Sequence, residues 1–149
     1  MMYLPKDKWS SRYEQQFYTI QIQSYSKLNK PPTGASDSFT DVTCQFLCGP
    51  KFPAVYYSIE ISCGTKHHSC LRRYSQFQLL CNKVDPSGKL GLQLKLPPKT
   101  GLFHQETTYF LKERMQRLNM FLEDFLTRQE AVDNAFVEQF LDLHIFKEA

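Results

Sequence analysis

Leu71 to Leu80 reads LRRYSQFQLL, and the spacing of its apolar residues changes partway through. Up to Tyr74 it continues an extended run, KHHSCLRRY. From Ser75 onward Phe77, Leu80, Cys81 and Val84 fall at i, i+3, i+4 and i+7, the period of a helix. Ser75, with Gln78 three residues later, predicts a capping box at the helix start. A strand therefore runs straight into a helix, with two arginines and a tyrosine at the junction.

Upstream of the junction, FTDVTCQFLC (39–48) and AVYYSIEIS (54–62) are rich in β-branched and aromatic residues, and Gly49, Pro50 and Pro53 separate them as turn residues. With KHHSCLRRY after the tight connection CGT they predict a three-stranded antiparallel meander. Residues 1–37 read as an N-terminal extension, polar and broken by SKLNKPPTGASDS. Within it FYTIQIQSY alternates, with Tyr18, Ile20 and Ile22 on one side, and is a candidate edge strand. Residues 38–146 read as the domain itself.

Downstream, DPSGK stops the first helix, and KLGLQLKLPPK alternates Leu90, Leu92, Leu94 and Leu96 before two prolines, predicting an extended segment that enters a polyproline-like turn. From Thr107 the chain carries its longest helical signal, with Leu111, Met115, Leu118, Leu122 and Phe125 at four- and three-residue spacing. A last amphipathic segment, NAFVEQFLDLHIF, is expected to bury Phe136, Val137, Phe140, Leu141 and Leu143. Strands first and helices after predict an α+β fold, a three-stranded antiparallel sheet packed against a helical subdomain.

A chain of 149 residues with 42% hydrophobic content has the size and composition of one domain with a real core. Its net charge of +3 falls short of a dedicated duplex-binding protein, so any basic function needs a local cluster. The five cysteines, Cys44, Cys48, Cys63, Cys70 and Cys81, with no signal-peptide pattern at the N-terminus, are expected to be reduced in the cytosol. No apolar run is long enough to span a bilayer, so membrane contact is expected to be peripheral.

One residue breaks the pattern of the long helix. At ~100° per residue its large apolar side chains fill an arc of roughly 160°, and Arg114 lies inside that arc, the only charge there. Two explanations stand open. Arg114 snorkels, or pairs with an acid such as Glu60 or Asp142; alternatively it lines a pocket and binds an anion. The second gains from Arg72 and Arg73 at a helix N-terminus, where free N–H groups and the helix dipole favour anions.

Taken together, LRRYSQFQLL, LPPK (96–99), FLKERMQRLNMFLEDFL (110–126) and FVEQFLDL (136–143) resemble the phox homology (PX) domain family, in its order and approximate spacing over Phe39 to Ile145. Each motif alone is weak; four in order are fairly specific. The chain resembles a short sorting-nexin-type PX protein, with a piece of a larger protein as the alternative. The resemblance implies three antiparallel strands on a helical subdomain with a proline-rich loop, and no enzyme activity. It further implies a phosphoinositide-binding module, most often for phosphatidylinositol 3-phosphate, peripheral on the cytosolic face of endosomal membranes in trafficking or sorting. Carried over by position, Arg73 would hold the 3-phosphate, Tyr74 stack on the inositol ring, Lys99 reach the 1-phosphate, and Arg114 hydrogen-bond the 4- and 5-hydroxyls. Arg72, pointing the other way along an extended chain, reads as a structural or surface residue.

Leu102 and Phe103, in TGLFHQ just after Lys99, are candidate membrane-inserting residues; the alternative is that Phe103 folds back over the core. The other reading of the whole chain is a PX-like protein-interaction module with weak or no lipid binding, using the N-terminal extension or the proline-rich loops as its contact surface. Cys63, His67, His68 and Cys70 lack zinc-knuckle spacing, and adjacent histidines on a strand point to opposite faces, so no metal site is expected. No catalytic constellation is found, no cofactor is called for, and no nucleic-acid partner is expected because the basic residues do not line a groove.

Overall fold

The computed structural model describes residues 1–8, 10, 17–32, 53–99 and 106–147. Four strands form one sheet in the order β1 (Met2–Tyr3), β2 (Phe17–Leu28), β3 (Ala54–Cys63) and β4 (Lys66–Arg73). β1 pairs with β2 in parallel over two residues, and β2, β3 and β4 form an antiparallel meander. The expected three-stranded antiparallel sheet is thus present, with a short fourth strand added. Its first long member, however, is FYTIQIQSYSKL, and FTDVTCQFLC lies outside the described residues.

The alternation in β2 explains its place. Tyr18, Ile20 and Ile22 are buried, and Ile20 and Ile22 stand opposite Ile61 and Ile59 of β3 on the core face. After Ile22 the register shifts, a bulge that bends the strand. There the Ile22 N–H donates to Asn119 Oδ1 at 2.7 Å, tying the sheet to the long helix α3 (Thr108–Leu126).

β4 passes into α1 (Tyr74–Val84) with no intervening loop. The cap lies two residues earlier than the Ser75–Gln78 expectation: Arg73 is extended at φ −93°, ψ 164°, and its N–H donates to Gln76 Oε1 at 2.8 Å. Tyr74 is already helical, so Ser75 sits inside the first turn and the glutamine three residues beyond Arg73 makes the reach-back bond. Phe77, Leu80 and Cys81 fill the buried face, and the Phe77 ring meets Phe140 edge-on at 5.0 Å.

The leucine run after α1 does not extend. Asp85, itself buried, accepts from Leu90 N at 3.1 Å and Leu92 N at 3.4 Å, and Gly91 takes the left-handed conformation at φ 67°. The chain turns there into the single helical turn α2 (Leu92–Lys95). Leu92 and Leu96, four apart, share the buried side, while Leu94 is 90% exposed. Removing the Asp85 carboxylate orphans two backbone donors, so Asp85→Ala is expected to destabilise the protein by about 1–3 kcal/mol in urea denaturation. A midpoint equal to that of the wild type contradicts this role.

α3 starts at Thr107, whose Oγ1 accepts from Phe110 N at 3.1 Å. Its buried residues are Leu111, Arg114, Leu118, Phe121, Leu122, Phe125 and Leu126, so Arg114 is its only buried charge. Asn134 caps α4 (Ala135–Phe140), which leads to α5 (His144–Lys147). Val137, Phe140, Leu141 and Leu143 enter the core as expected, but Phe136 is 37% exposed, with the Lys83 ammonium 5.4 Å from its ring.

Arg72 is structural and not on the surface. It is 3% exposed; its Nε donates to the Phe140 carbonyl at 2.9 Å and its Nη2 reaches Asp142 Oδ1 at 3.2 Å. It pins the C-terminal helices to the end of β4.

Candidate functional site

The site forms where three elements meet: the start of α1, the segment after α2, and the first turns of α3. α2 ends at Leu96, which is extended (φ −71°, ψ 154°) and leads into Pro97 and Pro98. Prolines donate no backbone hydrogen bond, but their carbonyls accept, and both do so here. Tyr74 Oη donates to the Pro97 carbonyl, and Arg114 Nη2 donates to the Pro98 carbonyl at 2.9 Å. The two side chains hold the double-proline segment against the helices.

Arg114 is 9% exposed. Its guanidinium carbon lies 4.1 Å from the centre of the Tyr74 ring and 4.8 Å from that of Phe110, both within cation–π range. Beneath it, burial pushes the Tyr57 phenol up to about 12, while the Arg114 cation pulls the other way. Tyr57 is therefore neutral near pH 7. Glu60 instead bonds Ser58 and Ser69, and Asp142 pairs with Arg72 and His68. Among the described residues no carboxylate pairs with Arg114, and its Nε is buried without a hydrogen-bond partner. Among the described residues this desolvated cation is held by neutral groups, a carbonyl, the Tyr57 hydroxyl and ring faces, and retains its demand for an anion.

Arg114 opens onto a pocket of about 240 Å³, lined also by Pro97, Pro98, Lys99, Phe110, Glu113 and Arg117. The structure brings Lys99 and Arg114 to one cavity, with Tyr74 stacked behind Arg114. Arg73 stands next to Tyr74 at the cap of α1, its guanidinium 6.0 Å from the Tyr56 ring across the sheet, and is not among the described lining residues. Leu102 and Phe103 lie outside the described residues. Sequence reasoning missed Phe110, Glu113 and Arg117. Glu113 and Arg117 fall outside the apolar arc of α3 and read as solvated; the signal available was that Arg117 is one turn from Arg114.

The cysteine and histidine cluster divides as strand geometry requires. His67 bonds Ser62 across the sheet, while His68 Nε2 lies 3.2 Å from Asp142 Oδ2, on the side of the C-terminal helices. Cys63, Cys70 and Cys81 are buried and form no disulfide, and burial pushes the Cys70 and Cys81 thiols up to about 12, far from the reactive thiolate. Among the described residues no group of histidine, cysteine, aspartate and glutamate has the arrangement of a metal site, and no helix is long and apolar enough to cross a membrane.

Comparison with known proteins points one way. A family model described as the PX domain matches residues 62–144. A designed CISK PX domain is similar in structure, with a TM-score of 0.59 and 20% identity over 82% of this chain and 96% of that one. The mouse SNX19 PX domain, solved with a bound sulphate ion, superposes with a TM-score of 0.54 and 18% identity over 83% of this chain and 94% of that one. No curated protein matches the chain.

Proposed function

The chain belongs to the PX domain family, and from that premise we propose that it binds phosphatidylinositol 3-phosphate and is recruited by it to the cytosolic face of endosomal membranes, in trafficking or sorting. PX domains generally bind phosphoinositide headgroups and membranes, and they are lipid-binding modules and not enzymes. The observation that carries the reading is Arg114, a buried cation with no carboxylate partner among the described residues, opening onto a pocket that it shares with Lys99.

In this reading Arg73 at the α1 cap holds the 3-phosphate, a group of about −1.5 to −2 charges that a guanidinium fork matches. Lys99 takes the 1-phosphate, Tyr74 lends a ring face to the inositol, and Arg114 bonds the 4- and 5-hydroxyls. The sulphate bound by the mouse SNX19 PX domain is an anion on the same fold, which is consistent with a phosphate ligand here. Leu102 and Phe103, three and four positions after Lys99 in the sequence, add the apolar contribution, up to ~1.5–3 kcal/mol each if fully buried in lipid.

Flotation with vesicles carrying each phosphoinositide in turn tests this. The wild type is expected to favour the 3-phosphate, and Arg114→Gln to bind at least about tenfold more weakly. A wild type that ignores every lipid, or one that binds all anionic vesicles alike and only at low salt, overturns the reading. A folded protein of the first kind that holds a protein partner through residues 1–37 supports the interaction-module alternative.

A further inference from the structure

Among the described residues Glu113 is the one carboxylate lining a pocket whose other charged walls are Lys99, Arg114 and Arg117. An acid in an anion site weakens the binding of any anion near it, so its presence there needs a role. Its carboxylate lies 3.1 Å from the Arg117 guanidinium, one turn further along α3. We propose that Glu113 is a specificity-determining residue that restricts the pocket to a headgroup with a single phosphomonoester, by repelling a second phosphate and by occupying Arg117. This inference rests on the phosphoinositide reading above.

The charges support it. With Glu113 balancing Arg117, the lining presents the equivalent of two unmatched cations, Lys99 and Arg114. That suits the 1-phosphate and a pair of hydroxyls, with Arg73 at the junction as the proposed contact of one phosphomonoester. A further phosphate on the ring brings about −1.5 to −2 charges toward a carboxylate and finds the nearby arginine engaged. Both partners of the pair stand at the pocket mouth, with side chains 54% and 43% exposed, so solvent makes the pair easy to break once Glu113 loses its charge. Glu113→Gln removes the repulsion and frees Arg117 in one step. The simpler view is that Glu113 and Arg117 form an ordinary helix-surface pair; it predicts no change in which headgroup is preferred.

The test uses the full chain and phosphatidylcholine vesicles matched in total charge, carrying the 3-phosphate lipid or its 3,4-, 3,5- and 3,4,5-phosphorylated relatives. Glu113→Gln is expected to shift the affinity ratio toward the multiply phosphorylated lipids by about tenfold. Binding of the 3-phosphate lipid is expected to gain less than that of its multiply phosphorylated relatives. Glu113→Asp keeps the charge and is expected to keep the wild-type ranking. An unchanged ratio in Glu113→Gln, or an equal gain for every lipid, overturns the inference. If the wild type binds through Arg114 and yet the ratio stays put, only the specificity role falls. If the wild type binds no phosphoinositide, or Arg114→Gln binds as well as the wild type, the underlying reading falls and the inference with it.

Discussion

Arg73→Ala is expected to lose phosphatidylinositol 3-phosphate binding while keeping the thermal stability of the wild type. The backbone of Arg73 does not depend on the side chain: its N–H makes the capping bond to Gln76, and its extended φ and ψ suit alanine as well. Its side chain is half-buried, with the Tyr56 ring 6.0 Å away. Truncating one partner of a desolvated charge pair costs about 2–5 kcal/mol, which is a loss of at least about thirtyfold in affinity. Arg73→Lys keeps the charge without the planar fork and is expected to fall between the two. Isothermal titration with a soluble headgroup measures the effect apart from membrane insertion. Titration curves that superimpose for the wild type and Arg73→Ala remove Arg73 from the site.

Its neighbour is expected to behave in the opposite way. Arg72→Ala takes away the donor to the Phe140 carbonyl, leaves Asp142 with only His68, and empties the space beside the Phe140 ring, 5.6 Å from the guanidinium. Breaking a buried pair costs about 3–5 kcal/mol, and the partial exposure of Asp142 places the expected loss near the lower end, about 3 kcal/mol. Urea denaturation reads this directly, and Arg72→Met, which restores part of the packing but none of the donors, is expected to recover only part of it. A loss below about 0.5 kcal/mol in Arg72→Ala is what a surface arginine gives, and it contradicts the buried role. Together the two substitutions are expected to separate adjacent arginines of one motif into the proposed ligand residue and a structural brace.

That separation shows how far local pattern reaches. Alternation along β4 places Arg72 and Arg73 on opposite faces, and this is legible in LRRY alone. That Arg72 is buried is not, because its partners, Phe140 and Asp142, lie some seventy positions away. β2 is a similar case. FYTIQIQSY shows its alternation plainly, but nothing within the segment says that it pairs along the length of β3. The leucine run is the reverse: four leucines at period 2 describe an extended chain, and a buried aspartate with a left-handed glycine turns it into a helical turn.

What the sequence determined by itself is what depends on neighbours within a turn or two. The change of period at the junction, the helical face of α3 and the charge misplaced on it, and the double proline that cannot donate are all of this kind. Tertiary structure alone decided which distant groups meet those features: the Pro98 carbonyl and the Tyr74 ring around Arg114, Asp142 against Arg72, and Glu113 and Arg117 on a pocket wall. The physical reason is that periodicity encodes the direction in which a side chain points, a local property of backbone geometry. What it points at is set by long-range packing, in which carbonyls and rings from other elements supply the partners.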